Sequence, residues 1–394
     1  MKKNKIIKRA LFGALIILIG ITLWLYTSER KDKEAKLTDN NLVSATEEKL
    51  ELLKQYIDAS YHGEINNEDL QDGIYKGFIE GLNDPYSVYY TKEETKLLKE
   101  QTTGEYSGIG AVLSQDKETG IITILQVYKG SPAQESGLKE GDYFLKIGDR
   151  ELTAVDDLSE VVTYIKGAEG SKVELTVYRK KEEKEFNITV TRRKIEVQTV
   201  DARILEDTTG YISISEFDTV TLEQYKSALK DLEDQGMDRL IVDLRNNPGG
   251  NLNTVADMLD LMLPKGLSVY MEDKTGSRRD FESDEEHQFK KPLVVLVNEN
   301  SASASEIYAG AIQDYKLGTI MGTQTYGKGV VQQIFDLSDG TSVKLTIAEY
   351  FTPNGRNINS IGITPDKVVE YQENENDVDA DNQLREAIDY IKGK

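Results

Sequence analysis

Residues Asn300 to Glu306 read NSASASE, three serines alternating with alanines. A lysine stands between glycines 25 residues beyond the middle serine, in TYGKGVVQ. A serine hydroxyl attacks a carbonyl only when a base takes its proton. Cysteine is absent, which excludes thiol catalysis, and the two histidines, His62 and His287, have no motif around them. A Ser-His-Asp triad is therefore poorly supported. A lysine serves as base when burial or nearby positive charge holds it neutral, against an ordinary pKa of about 10.4. Lys328 has no acid close in sequence, the nearest being Asp314 and Asp336, and Gln332 four residues on could direct its amine. The bland alternative is a capped helix followed by an ordinary turn, because Ser303 with Glu306 fits the S-x-x-E capping box. The same helix start is where α/β enzymes present nucleophiles, since its free amides and positive dipole end stabilise an oxyanion.

A second constellation is DLRNNPGGNL, Asp243 to Leu252. An apolar strand runs into a turn with two glycines, and tight glycine turns expose amides to an anion. One reading makes Asn246 and Asn247 helix caps. The other makes an amide of Gly249 or Gly250 half of an oxyanion hole, facing that of Ala304. The spacing of a phosphate loop is absent.

These residues must be held by a larger scaffold. RLIVDL and LVVLV are continuous apolar runs, as expected of strands covered on both faces. TVADMLDLML between them puts Val255, Met258, Leu259 and Met262 on one helical face. The expected fold from residue 193 to 375 is an α/β core. Residues 105–192 read instead as short alternating strands, with a helix carrying Leu158, Val161, Val162 and Ile165 on one face. Residues 46–104 read as helical, broken by the turn-forming NDPYS (Asn83 to Ser87), with no catalytic residue type evident. A linker (28–45) precedes them, and a C-terminal helix or tail (376–394) closes the chain. Ala10 to Tyr26 contains no charge and would span about 26 Å as a helix. Lysines and Arg9 in the tail 1–9 precede it and Trp24 and Tyr26 end it, so a single-pass anchor over 10–27 is expected, with the rest of the chain extracytoplasmic. The formal net charge of −21 argues against nucleic-acid partners.

The blocks GLNDPYS, YSGIGA, SPAQESGLKEGD, DLRNNPGG, NSASASEIYAGAIQD, TYGKGVVQ and YFTPNGRNINSIGITPD occur in an order that resembles the carboxy-terminal processing (tail-specific) serine peptidases. The resemblance covers residues 45 to 370. It implies a crotonase/ClpP-like core with Ser303 as nucleophile, Lys328 as general base and Gln332 orienting it. It implies an oxyanion hole from Gly249 or Gly250 with Ala304, and no metal or organic cofactor. The β-rich segment resembles a PDZ domain, whose carboxylate-binding loop falls on Gly108, Ile109, Gly110 and Ala111. The partners implied are protein substrates bound by their C-terminal tails, with a homodimer left open. Two other readings are a non-catalytic PDZ adaptor and an acyl-CoA enzyme of hydratase type.

Overall fold

A computed structural model describes residues 42–153, 155–284, 286–373 and 381–393. The expected anchor at 10–27 lies outside them, and among the described residues no helix is long and apolar enough to cross a membrane. The chain divides into two units, Met1–Gln71 and Asp72–Lys394. In the first, helix α1 (42–60) is followed by the first turn of α2 (Asn67–Glu80). Leu53 and Tyr56 of α1 remain exposed.

The second unit departs early from the all-helical expectation for residues 46–104. NDPYS does end α2, because Asp84 accepts hydrogen bonds from the Ser87 hydroxyl (2.6 Å) and the Tyr86 amide (3.1 Å). The chain then forms a strand, β1 (Val88–Tyr90), before α3 (Lys92–Thr103). Valine and tyrosines suit a pleated surface better than a helix, and the strand pairs with a segment more than two hundred residues away.

Next come β2 (Glu105–Gly108), β3 (Ala111–Gln115), β4 (Ile122–Val127), α4 (Pro132–Glu135), β5 (Asp142–Ile147) and β6 (Arg150–Glu151). Then α5 (Leu158–Ile165), β7 (Lys172–Arg179), β8 (Lys184–Thr191) and β9 (Arg193–Glu196) complete the domain. β2 and β9 pair antiparallel where the chain enters and leaves it. The remaining strands run β3-β4-β5-β7-β8, with β6 on β5, so β3 is an edge. Its core gathers Ile109, Leu138, Phe144, Val161, Leu175 and Val177. Val161 and Ile165 supply the buried face of α5, whose N-cap Asp157 accepts the Ser159 amide at 2.8 Å.

The rest of the unit runs β10 (Val200–Ile204), β11 (Thr209–Ile214), α6 (Thr221–Asp234), β12 (Arg239–Asp243), α7 (Leu252–Asp260), β13 (Gly266–Asp273) and β14 (Arg278–Ser283). It continues with β15 (Leu293–Val297), α8 (Ala304–Asp314), β16 (Thr319–Gly322), β17 (Val330–Asp336), β18 (Ser342–Phe351), β19 (Lys367–Val368) and α9 (Asn382–Lys392). One sheet has the order β10-β11-β12-β15-β16-β19, parallel from β11 onward. Alternate residues of its central strands feed different cores. Val242 and Val295 pack with helices α6, α7 and α8, whereas Ile241, Val294 and Leu296 pack with Ile388 and Ile391 of α9. This two-sided burial is why RLIVDL and LVVLV lack polar alternation. A second sheet joins β1, β18, β13 and β14, with β17 also on β18. β1 pairs there antiparallel, Tyr89 opposite Val343. Every residue of α8 from Ala304 to Ile312 is buried. Its small side chains let it sit between the two sheets, and that burial leaves its first turn little freedom to move.

Candidate active site

The polar loop after β15 and the first turn of α8 carry the three serines, and the structure gives each a different environment. The Ser301 hydroxyl is fully buried, donating to the Leu244 carbonyl (2.8 Å) and accepting the Asn298 amide (2.9 Å). The Ser305 hydroxyl is also buried and donates to the Asn247 carbonyl at 3.0 Å. Ser303 stands at the head of α8, half-buried, and its hydroxyl makes no cap hydrogen bond. Its backbone has φ 55° and ψ −114°, a conformation disfavoured for a residue with a Cβ. Such strain persists only where the surroundings over-determine it, and it turns this side chain outward.

Glu306 is one of the groups that fix the turn. Only half of the expected capping box forms: this carboxylate accepts the Ser303 amide at 2.8 Å, while the Glu306 amide donates to the Ser303 carbonyl at 2.9 Å and leaves the hydroxyl uncommitted. The rest of its role was not legible from spacing. The same buried carboxylate accepts the amides of Gly327 (2.7 Å) and Lys328 (2.9 Å) and the Thr325 hydroxyl (2.6 Å). The Tyr326 amide donates to the Ser301 carbonyl at 3.1 Å. Tyr350, from β18, places its hydroxyl against the carbonyl oxygens of both Ser303 (3.1 Å) and Lys328. The serine turn and the lysine loop are thus stitched together through their backbones. Glycines flank Lys328 for steric reasons: Gly327 has φ 88°, and a Cβ on Gly329 would lie 2.2 Å from the Asn359 nitrogen.

No acid is close to Lys328 in sequence, but the fold brings two carboxylates from distant segments to bear on it. Asp84, from NDPYS, and Glu306 both act on its charge, each favouring the charged form. Burial is the larger influence and, with the neighbouring Lys344 cation, brings the Lys328 pKa below its ordinary value. Its amine lies 4.7 Å from the centre of the Tyr86 ring. Among the described residues it forms no ion pair, and its amine makes no hydrogen bond to Ser303. Gln332, expected to orient the amine, instead turns its Nε2 to the Val330 carbonyl and the Thr346 hydroxyl, both at 3.4 Å. A bulge between Val331 and Gln332 in β17 re-aims this part of the strand. Asp84 and Tyr86 were missed because nothing in the local sequence ties residues 84–86 to residue 328. The signal was NDPYS itself, more elaborate than a helix stop requires.

The glycine turn lies beside the serine. A Cβ on Gly249 would meet the Ala302 carbonyl at 2.6 Å and the Ala304 nitrogen at 2.9 Å, so only glycine fits there. The Gly249 amide is occupied, donating to the Asn247 side chain at 2.8 Å. Among the described residues, the amides of Gly250 and Ala304 have no such partner. The reading of Asn246 and Asn247 as helix caps is corrected: Asn251 caps α7, accepting the amides of Asn253 (2.8 Å) and Thr254 (3.3 Å). The Asn247 side chain instead donates to the Ile214 carbonyl at 2.9 Å, which pins the turn to β11. Ser303, Ala304, Gly250, Gln332 and Lys344 all line one cleft of about 530 Å³. His62 and His287 are both exposed.

In the β-rich domain, the Ile109 carbonyl accepts the Ala133 amide (2.8 Å) and the Gly110 carbonyl accepts the Tyr128 amide (3.0 Å). These bonds fix the 108–111 loop, which leads from β2 into the edge strand β3. α5 flanks that strand, where the Leu158 amide donates to the Gln115 side chain.

Residues 208–369 match Peptidase family S41, residues 107–190 a PDZ domain, and residues 11–95 the N-terminal domain of the activating protease CtpB. The carboxyl-terminal-processing protease of Synechocystis sp. is 38% identical over 335 residues, covering 83% of this chain and 78% of that protein. The chain belongs to the S41 peptidases. The carboxy-terminal processing protease CtpA of Bacillus subtilis is 34% identical, over 81% of this chain and 68% of its own. A solved photosystem II D1 C-terminal processing protease aligns over 82% of this chain and 86% of its own, with 28% identity and a TM-score of 0.48. This S41 chain is a serine peptidase carrying a PDZ domain, and that sets aside the adaptor and acyl-CoA readings.

Proposed function

We propose that this S41 peptidase cleaves proteins near their C-termini with a Ser303–Lys328 dyad. The observation that carries the proposal is the sorting of the three serines. Only Ser303 combines a hydroxyl free of backbone duty, a place in the cleft and a helix start behind it. Ser303 attacks the scissile carbonyl as neutral Lys328 takes its proton. The tetrahedral intermediate then breaks the C–N bond, the departing amine taking that proton from Lys328. Water, deprotonated by the Lys328 amine, hydrolyses the acyl-enzyme and frees Ser303. The oxyanion rests on the amides of Gly250 and Ala304, since that of Gly249 is engaged by Asn247. For the dyad to close, the Lys328 amine leaves the Tyr86 ring and reaches the Ser303 hydroxyl. Catalytic hydrogen bonds are often unformed before substrate binds. Gln332 directs the amine in that closed arrangement.

Substrate tails bind as an added strand on β3, their terminal carboxylate on the amides of the Gly108–Ala111 loop. The segment 10–27 anchors the chain in the cell membrane, with the peptidase on the extracytoplasmic side. The proposal is tested with a protein substrate bearing an apolar C-terminal tail. Ser303→Ala and Lys328→Ala each abolish its cleavage; turnover surviving either change refutes the dyad.

A further inference from the structure

Lys344 has no role in the proposed chemistry, yet it lines the same cleft as Ser303. It lies within β18, opposite Ile334 of β17 and Val88 of β1. Side chains two apart on a strand share a face, so Lys344 and Thr346 point together. Thr346 is opposite Gln332, whose side chain it meets. Lys344 therefore sits on the Gln332 side of the sheet, and its cross-strand partner Val88 stands two residues after Tyr86, the ring over which the Lys328 amine lies. Its amine lies 5.4 Å from the centre of the Tyr90 ring, as Lys328 lies over that of Tyr86, so one short segment carries the platforms of both lysines. Among the described residues no carboxylate comes within ion-pairing distance of Lys344.

The charges facing Lys328 come from several elements. Asp84, on the turn before β1, and Glu306, on α8, favour its protonated form. Tyr86 offers a ring face to the amine, and Tyr350 a hydroxyl to the Lys328 backbone. Burial and Lys344 act in the opposite sense. Glu306 cannot be dispensed with, because its carboxylate organises four donors. A cation on the other side is then the available counterweight to two acids near a base that must be neutral.

We propose that Lys344 is a positioning residue acting through Lys328: its fixed charge in the Ser303 cleft keeps the Lys328 amine in the proton-accepting form. This rests on the Ser303–Lys328 assignment and leaves Lys344 outside the bond-making steps.

The test is the pH dependence of kcat/KM for a tail-bearing substrate, measured on the full chain and on Lys344→Met, Lys344→Gln and Lys344→Arg. The acid limb reports loss of a proton from the free enzyme's base. Removing a neighbouring cation moves that limb up by about one unit, costing about tenfold in rate below it, while the alkaline plateau is kept. Lys344→Arg, which keeps the charge, leaves the limb in place. A limb unmoved in Lys344→Met and Lys344→Gln overturns the proposal, as does a limb that Lys344→Arg moves equally. Using two neutral variants guards against one that misfolds, and thermal melts identify it. Lys328→Ala run alongside separates the two levels. Activity surviving in Lys328→Ala defeats the dyad itself, whereas an inactive Lys328→Ala with an unmoved limb in the neutral Lys344 variants defeats only the tuning.

Discussion

Replacing Glu306 with glutamine tests whether one buried carboxylate keeps nucleophile and base in register. The wild-type group accepts from Ser303, Gly327 and Lys328 amides and from the Thr325 hydroxyl, at 2.6 to 2.9 Å. A glutamine retains one accepting oxygen and turns an NH2 group toward the remaining donors. If the oxygen stays with Thr325 and Gly327, the amides of Ser303 and Lys328 both face a donor. Hydrogen bonds to a charged group contribute about 1.5–3 kcal/mol each, so about 3–6 kcal/mol of local stabilisation is lost before any relaxation. The predicted response is a movement of the two loops apart. A displacement of about 1 Å at reacting groups costs on the order of 100-fold in rate. The assay pairs kcat/KM on a tail-bearing substrate with a thermal melt. Glu306→Gln should lower kcat/KM by about 100-fold or more and lower the Tm. Activity within about threefold of the parent, with an unchanged Tm, would refute the clamp.

Other expectations rest on the same geometry. Ser301→Ala removes a buried hydroxyl that serves the Leu244 carbonyl and the Asn298 amide. It should cost about 1–3 kcal/mol of stability in denaturant titration while leaving most of the kcat/KM, in contrast to Ser303→Ala. Asp218 lines the cleft with its carboxyl pushed up to about 7, first by burial and then by Glu216. The folded state therefore holds this proton more tightly than the unfolded one, so the contribution is present at low pH and is lost as pH rises from about 4 through 7. Asp218→Asn should gain Tm relative to the parent as pH increases from 5 to 8, and a difference constant with pH would contradict this. For the PDZ loop, amidating the tail of a binding peptide should weaken its affinity by about tenfold or more in a fluorescence titration. Equal affinity would remove the carboxylate from recognition.

Some of this arrangement was legible along the chain and some was not. TVADMLDLML shows its type because burial on one face writes a helical period into the sequence, and LVVLV and RLIVDL show theirs because burial on both faces leaves a short unbroken apolar run. The turn at Ser303 also shows itself, since small residues and an S-x-x-E spacing mark a helix start. The surroundings of Lys328 do not. Asp84 and Tyr86 reach it only because β1 joins β18 across more than two hundred residues, a pairing with no local sign. The spacing from Ser303 to Glu306 revealed one hydrogen bond of the carboxylate and concealed three, which come from a loop distant in sequence. The choice between Gly249 and Gly250 depends on where the Asn247 side chain goes, and a dihedral angle of that kind leaves no trace in residue order. Gln332 lines the cleft with Ser303, but the bulge at its own position aims its side chain at Val330 and Thr346 rather than at the Lys328 amine.

The most direct measurement is covalent labelling of the full chain with a fluorophosphonate, read by intact mass and peptide mapping. One adduct is expected, on Ser303, forming at least about 100-fold more slowly in Lys328→Met, the scale of a lost general base. Labelling at Ser301 or Ser305, or parent-like labelling of Ser303 without the lysine, would contradict it.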